Sequence, residues 1–227
     1  MANDNRVSIT RLIAIPALIT LLVTFLRLKG ELNHWGAPWF SNAAGGGAAI
    51  VGISWLPFIF GPWFALKLIK TGNGFESAKK AWGYLGLGFV VLVASGVIVG
   101  VAASKHAMLF AVIGFLGMVA AAFVPFKGWR TLGRTLFAYG IAARVPVVIV
   151  MFFAMRGNGG AGWGTHYDAV DPSMPNLPFA QKFLFEAFLP QMTAWIAWTV
   201  IVGLLAGLIA AAVARRSKQT STAPAGA

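Results

Sequence analysis

The chain has 227 residues, 58% of them apolar and only 11% charged, whereas soluble proteins carry about 25% charged residues. That balance excludes an ordinary soluble domain and indicates an all-α integral membrane protein. No cysteine occurs, which removes disulfides, thiolate metal sites and a cysteine nucleophile, and the net charge of +12 reads as basic loops on one side of a membrane, not as a nucleic-acid footprint.

The first apolar run covers 12–28, behind Arg6 and Arg11, and includes Pro16. No small-residue cleavage site follows promptly, so a retained first span is expected rather than a signal sequence. An outer linker follows over 30–47, with Trp35, Trp39 and Phe40 as interfacial anchors and Gly45-Gly46-Gly47 as a flexible lead. The second span is placed at 48–68, kinked by Pro57 and Pro62, each of which removes a ladder donor. Lys67, Lys70, Lys79 and Lys80 mark the first inner loop.

The third span, 84–104, carries Gly96 and Gly100, four apart, a spacing that lets a neighbouring helix approach closely. A turn at Ser104-Lys105-His106 is too short for anything but a tight hairpin into the fourth span, 107–126, which makes those two helices antiparallel neighbours. Lys127, Arg130 and Arg134 form the second inner loop, and the fifth span, 135–155, contains Arg144 and Pro146.

A long outer segment, 156–190, opens on Gly157 and passes through Gly162-Trp163-Gly164-Thr165-His166-Tyr167-Asp168. Beyond three prolines, Phe179, Phe183, Leu184, Ala187 and Phe188 recur at helical spacing, with Gln181, Lys182 and Glu186 opposite them. That pattern predicts a short interfacial helix, ended by Pro190. The last span, 191–214, carries a second stripe at Gly203 and Gly207, and 215–227 reads as a disordered tail of basic and small residues.

Most of the 18 basic residues fall on one side when both termini are cytoplasmic, while Arg27, Lys29, Lys105, Arg156 and Lys182 share the other side with Glu31, Asp168, Asp171 and Glu186. The expected architecture is therefore a six-transmembrane-helix bundle, 1–214, in a bacterial cytoplasmic membrane, with both termini inside.

Arg144 is the sharpest chemical signal. A charge at the bilayer centre costs at least about 2.5 kcal/mol, so it is paired or solvated. No predicted span holds Asp or Glu at its depth, which leaves backbone carbonyls, hydroxyls such as Tyr139, Ser54 or Ser95, an anionic lipid, a small anion or an acidic group of another subunit. The second signal is the loop cluster of Trp163, His166 and Asp168, either a turn anchored at the interface by Trp163 and Tyr167 or a recognition loop in which His166 and Asp168 form an acid–base pair. His34, His106 and His166 all fall on the outer side, yet on separate loops without metal-ligand spacing, so they are weak candidates for a metal and no cofactor is expected.

These features point first to a non-enzymatic membrane subunit, scaffold or ligand-binding module. The partners expected are the bilayer, an anion at Arg144, and a membrane protein or second copy, with no nucleic acid. The alternatives are a small-anion transporter or channel using Arg144, and a metal-dependent membrane enzyme or redox protein using the outer histidines.

Overall fold

The computed structural model describes residues 7–47, 49–105, 107–169 and 177–221. Among these no strand occurs. The principal helices are α1 (Ile9–Leu32), α2 (Leu56–Lys70), α3 (Ala78–Ser104), α4 (Met108–Phe123) and α5 (Arg130–Arg156). They are followed by α6 (Phe179–Lys182), a π-helical stretch (Phe183–Phe188), α7 (Leu189–Met192) and α8 (Ala194–Ser221). Among the described residues five stretches are long and apolar enough to cross a bilayer: Ile9–Leu32, Ala78–Ser104, Met108–Lys127, Arg130–Arg156 and Phe179–Arg216. The chain is a helical membrane protein.

The second predicted span departs most from expectation. Helix α2 begins at Leu56, not at 48, and its 15 residues rise only about 22 Å against a hydrocarbon core of about 30 Å. The cause lies at its start. Gly45, Gly46 and Gly47 all have positive φ, and Pro57 occupies the first helical turn, where its missing N–H costs nothing. Pro57 thus starts the helix instead of kinking it; only Pro62 lies inside. Residues 49–55 form a string of bends and turns tied into the bundle, with the Ser54 carbonyl accepting from Trp198 Nε1 at 2.9 Å.

The end of the long loop also differs. Pro190 does not stop the interfacial helix; it sits in the first turn of α7. A proline crowds the carbonyl four residues earlier, here that of Glu186, and the widened π-helical turn at Phe183–Phe188 relieves this clash. The interruption falls instead at Thr193, with φ −120° and ψ −73°. The predicted helix over 179–188 is therefore the first part of a broken element that runs into α8.

Phe64, Leu68, Leu132, Leu136, Tyr139, Val200, Leu204 and Leu208 build the core between α2, α5 and α8. Leu22, Val90, Leu109, Leu116, Phe153 and Ile209 are exposed, as lipid-facing side chains are. Gly203 and Gly207 line the α2–α8 seam: a Cβ on Gly61 would collide with the Gly203 carbonyl, and one on Gly207 would lie 3.1 Å from the Ala65 methyl. Within this chain no helix packs at Gly96 and Gly100: nothing lies within 4 Å of where their Cβ atoms would be. The α3–α4 contact is made one residue away, where Gly114 and Gly117 of α4 receive Ser95 and Val99.

Candidate functional site

Cavities lie at opposite ends of the bundle among the described residues. One, of about 670 Å³, sits at the lysine-rich end, between residues 72–80 and 126–131. The other, of about 400 Å³, gathers Arg144, His166, Tyr167, Arg27, Glu186, Gln191 and Trp195. Of the residues that the sequence singles out, Arg144, His166, Tyr167 and Ser54 line it, whereas Tyr139, Trp163 and Asp168 do not.

Arg144 enters this second cavity from α5, half a turn before Pro146. It is only 3% exposed. Nη1 donates to Gln191 Oε1 at 3.2 Å, and the guanidinium lies 4.7 Å from the centre of the Trp195 ring, a cation–π contact. Nε is buried without a hydrogen-bond partner. No carboxylate forms an ion pair with Arg144 among the described residues, although Glu186 lines the same cavity. An unsatisfied buried donor costs about 1–3 kcal/mol, more when charged. Tyr139, considered above as a partner, does not serve as one. It packs edge-on against Phe60 and Phe64, and its hydroxyl is hydrogen-bonded to Thr20 Oγ1 of α1 at 2.7 Å.

The second half of the cavity rests on α1. Arg27 and Glu31 are four apart, so they share one helix face. Arg27 Nε donates to Glu31 Oε1 at 2.7 Å, and Nη2 donates to the carbonyls of Gly46 at 2.6 Å and Ser41 at 3.2 Å. Glu31 is 0% exposed. Its carboxylate also receives the His166 backbone N–H at 3.0 Å and lies 2.6 Å from His166 Nδ1. Three segments remote in sequence thus meet on one carboxylate: α1, the glycine-rich linker through Arg27, and the loop after α5.

The His166 loop is held in shape by its own polar groups. Gly162 has φ +85°, and a Cβ there would strike the Asp168 carboxylate. Asp168 Oδ2 accepts from Gly164 N at 2.9 Å, while Oδ1 accepts from Thr165 N at 2.9 Å and from the Thr165 hydroxyl. Both oxygens are spent on the loop backbone and Thr165, so the acid–base pair suggested by the two-residue spacing does not form. Glu31 is the partner of His166 instead. Trp163 folds back onto Gly157, which has room for it only because it lacks a Cβ. Tyr167 is no interfacial anchor either: it is buried, and its hydroxyl donates to the Thr24 carbonyl at 3.2 Å.

Burial disfavours the charged forms of the titratable groups in this loop. It pushes His166 below its ordinary value, with the Arg27 charge adding to the effect and Glu31 and Asp168 opposing it. The neutral ring donates Nδ1–H to Glu31, which leaves Nε2 as an acceptor. Burial likewise raises the Tyr167 phenol, with the Glu31 carboxylate contributing, so it stays a hydrogen-bond donor.

Of the other metal candidates, the described one does not join His166. His34 is exposed at the end of α1, and His106 lies outside the described residues. Among the described residues no group of three or more His, Cys, Asp or Glu could hold a metal ion. Sequence reasoning missed Gln191, Trp195 and the Arg27–Glu31 pair. Only the last left a trace, in its spacing of four. No family model, curated protein or solved structure matches the chain.

Proposed function

We propose that the protein is a non-enzymatic, membrane-embedded binding module whose Arg144 cavity takes a small anionic ligand. Arg144 carries this reading: a buried cation with an orphaned N–H, no paired carboxylate among the described residues, and an aromatic ring holding it in place beside an open volume. Gln191 and Ser54 line its polar side together with His166 and Tyr167, and Val147, Met151 and Ile53 supply an apolar one. Polar and apolar surfaces of this kind suit a small organic carboxylate.

In this reading the chain crosses a bacterial cytoplasmic membrane six times, with both ends on the cytoplasmic side. Residues 49–55 and α2 together make the second crossing. Non-helical backbone is tolerated at membrane depth where it lines a cavity, and Ile53 and Ser54 do so. The cavity then belongs to the outer half of the bundle.

The test is native mass spectrometry of protein extracted gently from its own membrane, beside Arg144→Gln. A benzoate titration of both, read by tryptophan fluorescence, complements it. The expected result is a discrete extra mass, or a saturable benzoate response, that is lost in the variant. Bare protein and no saturable response in the wild type would overturn the proposal. The break at Thr193, directly beside Gln191 and Trp195, favours a carrier as the second reading, since interrupted helices mark transport sites. Benzoate uptake into liposomes, abolished by Arg144→Gln, would establish it.

A further inference from the structure

The cavity at the lysine-rich end takes no part in this function, and we propose that it is a phosphate-binding pocket occupied by the headgroup of an anionic phospholipid. Its volume of about 670 Å³ lies within the range of small-molecule sites. Three cations, Lys80, Lys127 and Arg130, line it against a single carboxylate, Glu76. A fourth cation, Arg215, stacks 4.1 Å from the centre of the Phe75 ring that forms part of the wall.

The pocket is a framed structure, unlike a pair of solvated loops. The Asn73 carbonyl accepts from Trp129 Nε1 at 2.9 Å and from Thr131 Oγ1 at 2.8 Å, which ties the 72–77 turn to the start of α5. Phe75 meets Trp129 edge-on at 5.0 Å, and Trp129 is buried. Helix α5 opens into this space with no capping side chain on Trp129. The first-turn amides therefore add their partial positive charge to the side chains around them.

A phosphate monoanion or diester is complementary in charge to a wall of this kind. Basic pockets between helices at a membrane boundary are suited to lipid headgroups. The lipid source is favoured here because the wall continues onto an apolar surface. Phe126, lining the pocket, packs against Phe123 at 5.2 Å, and Phe123 is exposed among lipid-facing residues. A headgroup in the pocket can keep its acyl chains on that surface.

The experiment compares three proteins after exhaustive delipidation: wild type, Lys127→Gln/Arg130→Gln, and Lys70→Gln/Lys79→Gln. The third removes the same charge from exposed residues at the same end that do not line the pocket. Each is incubated with phosphatidylglycerol, with phosphatidylcholine or with inorganic phosphate, and bound mass is read by native mass spectrometry, with circular dichroism to verify the fold. The expected result is one phosphatidylglycerol per wild-type chain, weakened at least tenfold in the pocket variant and little changed in the charge-matched control. Equal weakening in both variants would reduce the site to diffuse surface charge and overturn the proposal, as would no retained lipid or phosphate in wild type. Phosphate retained without phosphatidylglycerol would keep the phosphate site and overturn its lipid source.

Discussion

The two ends of the bundle use charge in opposite ways. At the Arg144 end Arg27, Glu31 and Arg144 are buried, and two of the three are neutralised by each other within a set of named hydrogen bonds. At the lysine-rich end Lys67, Lys70, Lys79, Lys80, Lys127 and Arg130 are exposed, and their charge is spread over the helix ends that meet there. Exposed charges contribute little to stability and much to orientation and lipid contact. Buried ones must be held, so their partners define a site. The glycine stripes show the same contrast in apolar form: identical spacing, with one stripe closed against a helix and the other facing open space.

The largest effect is expected from breaking the buried pair. Glu31→Ala leaves the Arg27 guanidinium without its carboxylate and His166 without its acceptor, a loss of about 3–5 kcal/mol for an orphaned buried charge. Chemical unfolding in bicelles measures it. Arg27→Met/Glu31→Leu should recover much of the loss, because the penalty lies in the unpaired ion more than in the absent bridge. A Glu31→Ala protein as stable as wild type would mean that the buried charges of the Arg144 end matter no more to stability than the exposed ones of the lysine-rich end. That would erase the distinction.

The glycine stripes give a smaller effect. Gly61→Ala drives a methyl into the Gly203 carbonyl and should cost about 1–3 kcal/mol, with the α2–α8 seam opening. Gly100→Ala meets nothing and should be neutral or slightly stabilising, since alanine is favoured over glycine within a helix by about 0.5–1 kcal/mol. Paired unfolding curves check both, and equal costs at the two positions would contradict the packing described here.

How much of this was legible in the sequence depends on whether a feature is local. The membrane class and most helix positions follow from run length and composition. A cation in an apolar run is also a local feature, so Arg144 stands out in the sequence itself. Its surroundings do not, because Gln191 and Trp195 are brought to it by a helix break that Pro190 only hints at. The same limit explains α2, where Pro57 fits equally well as a kink or as a first-turn residue until the glycines ahead of it are seen to have positive φ. The His166–Asp168 spacing misleads for a related reason. A short polar side chain next to glycines hydrogen-bonds its own loop, and the imidazole turns to a carboxylate that is 135 residues away.

The smallest effect expected is one of pH, and it separates the two ends by chemistry. His166 in the folded protein titrates below its value of 6.5 in an unfolded chain, chiefly because it is buried. Between the two values the unfolded chain binds the proton that the folded one refuses, so folding stability rises with pH across that window and is complete above about 6.5. Lowering the pH from 7 through this window should therefore weaken the protein progressively, as unfolding free energies measured at a series of pH values would show. His166→Asn keeps a donor near the position of Nδ1 and so retains the contact with Glu31, but it cannot titrate. It should flatten the dependence while leaving stability at pH 7.5 near that of wild type. A slope that survives the substitution would place the titrating group elsewhere, and the neutral, Glu31-bound imidazole would lose its place in the wall of the cavity.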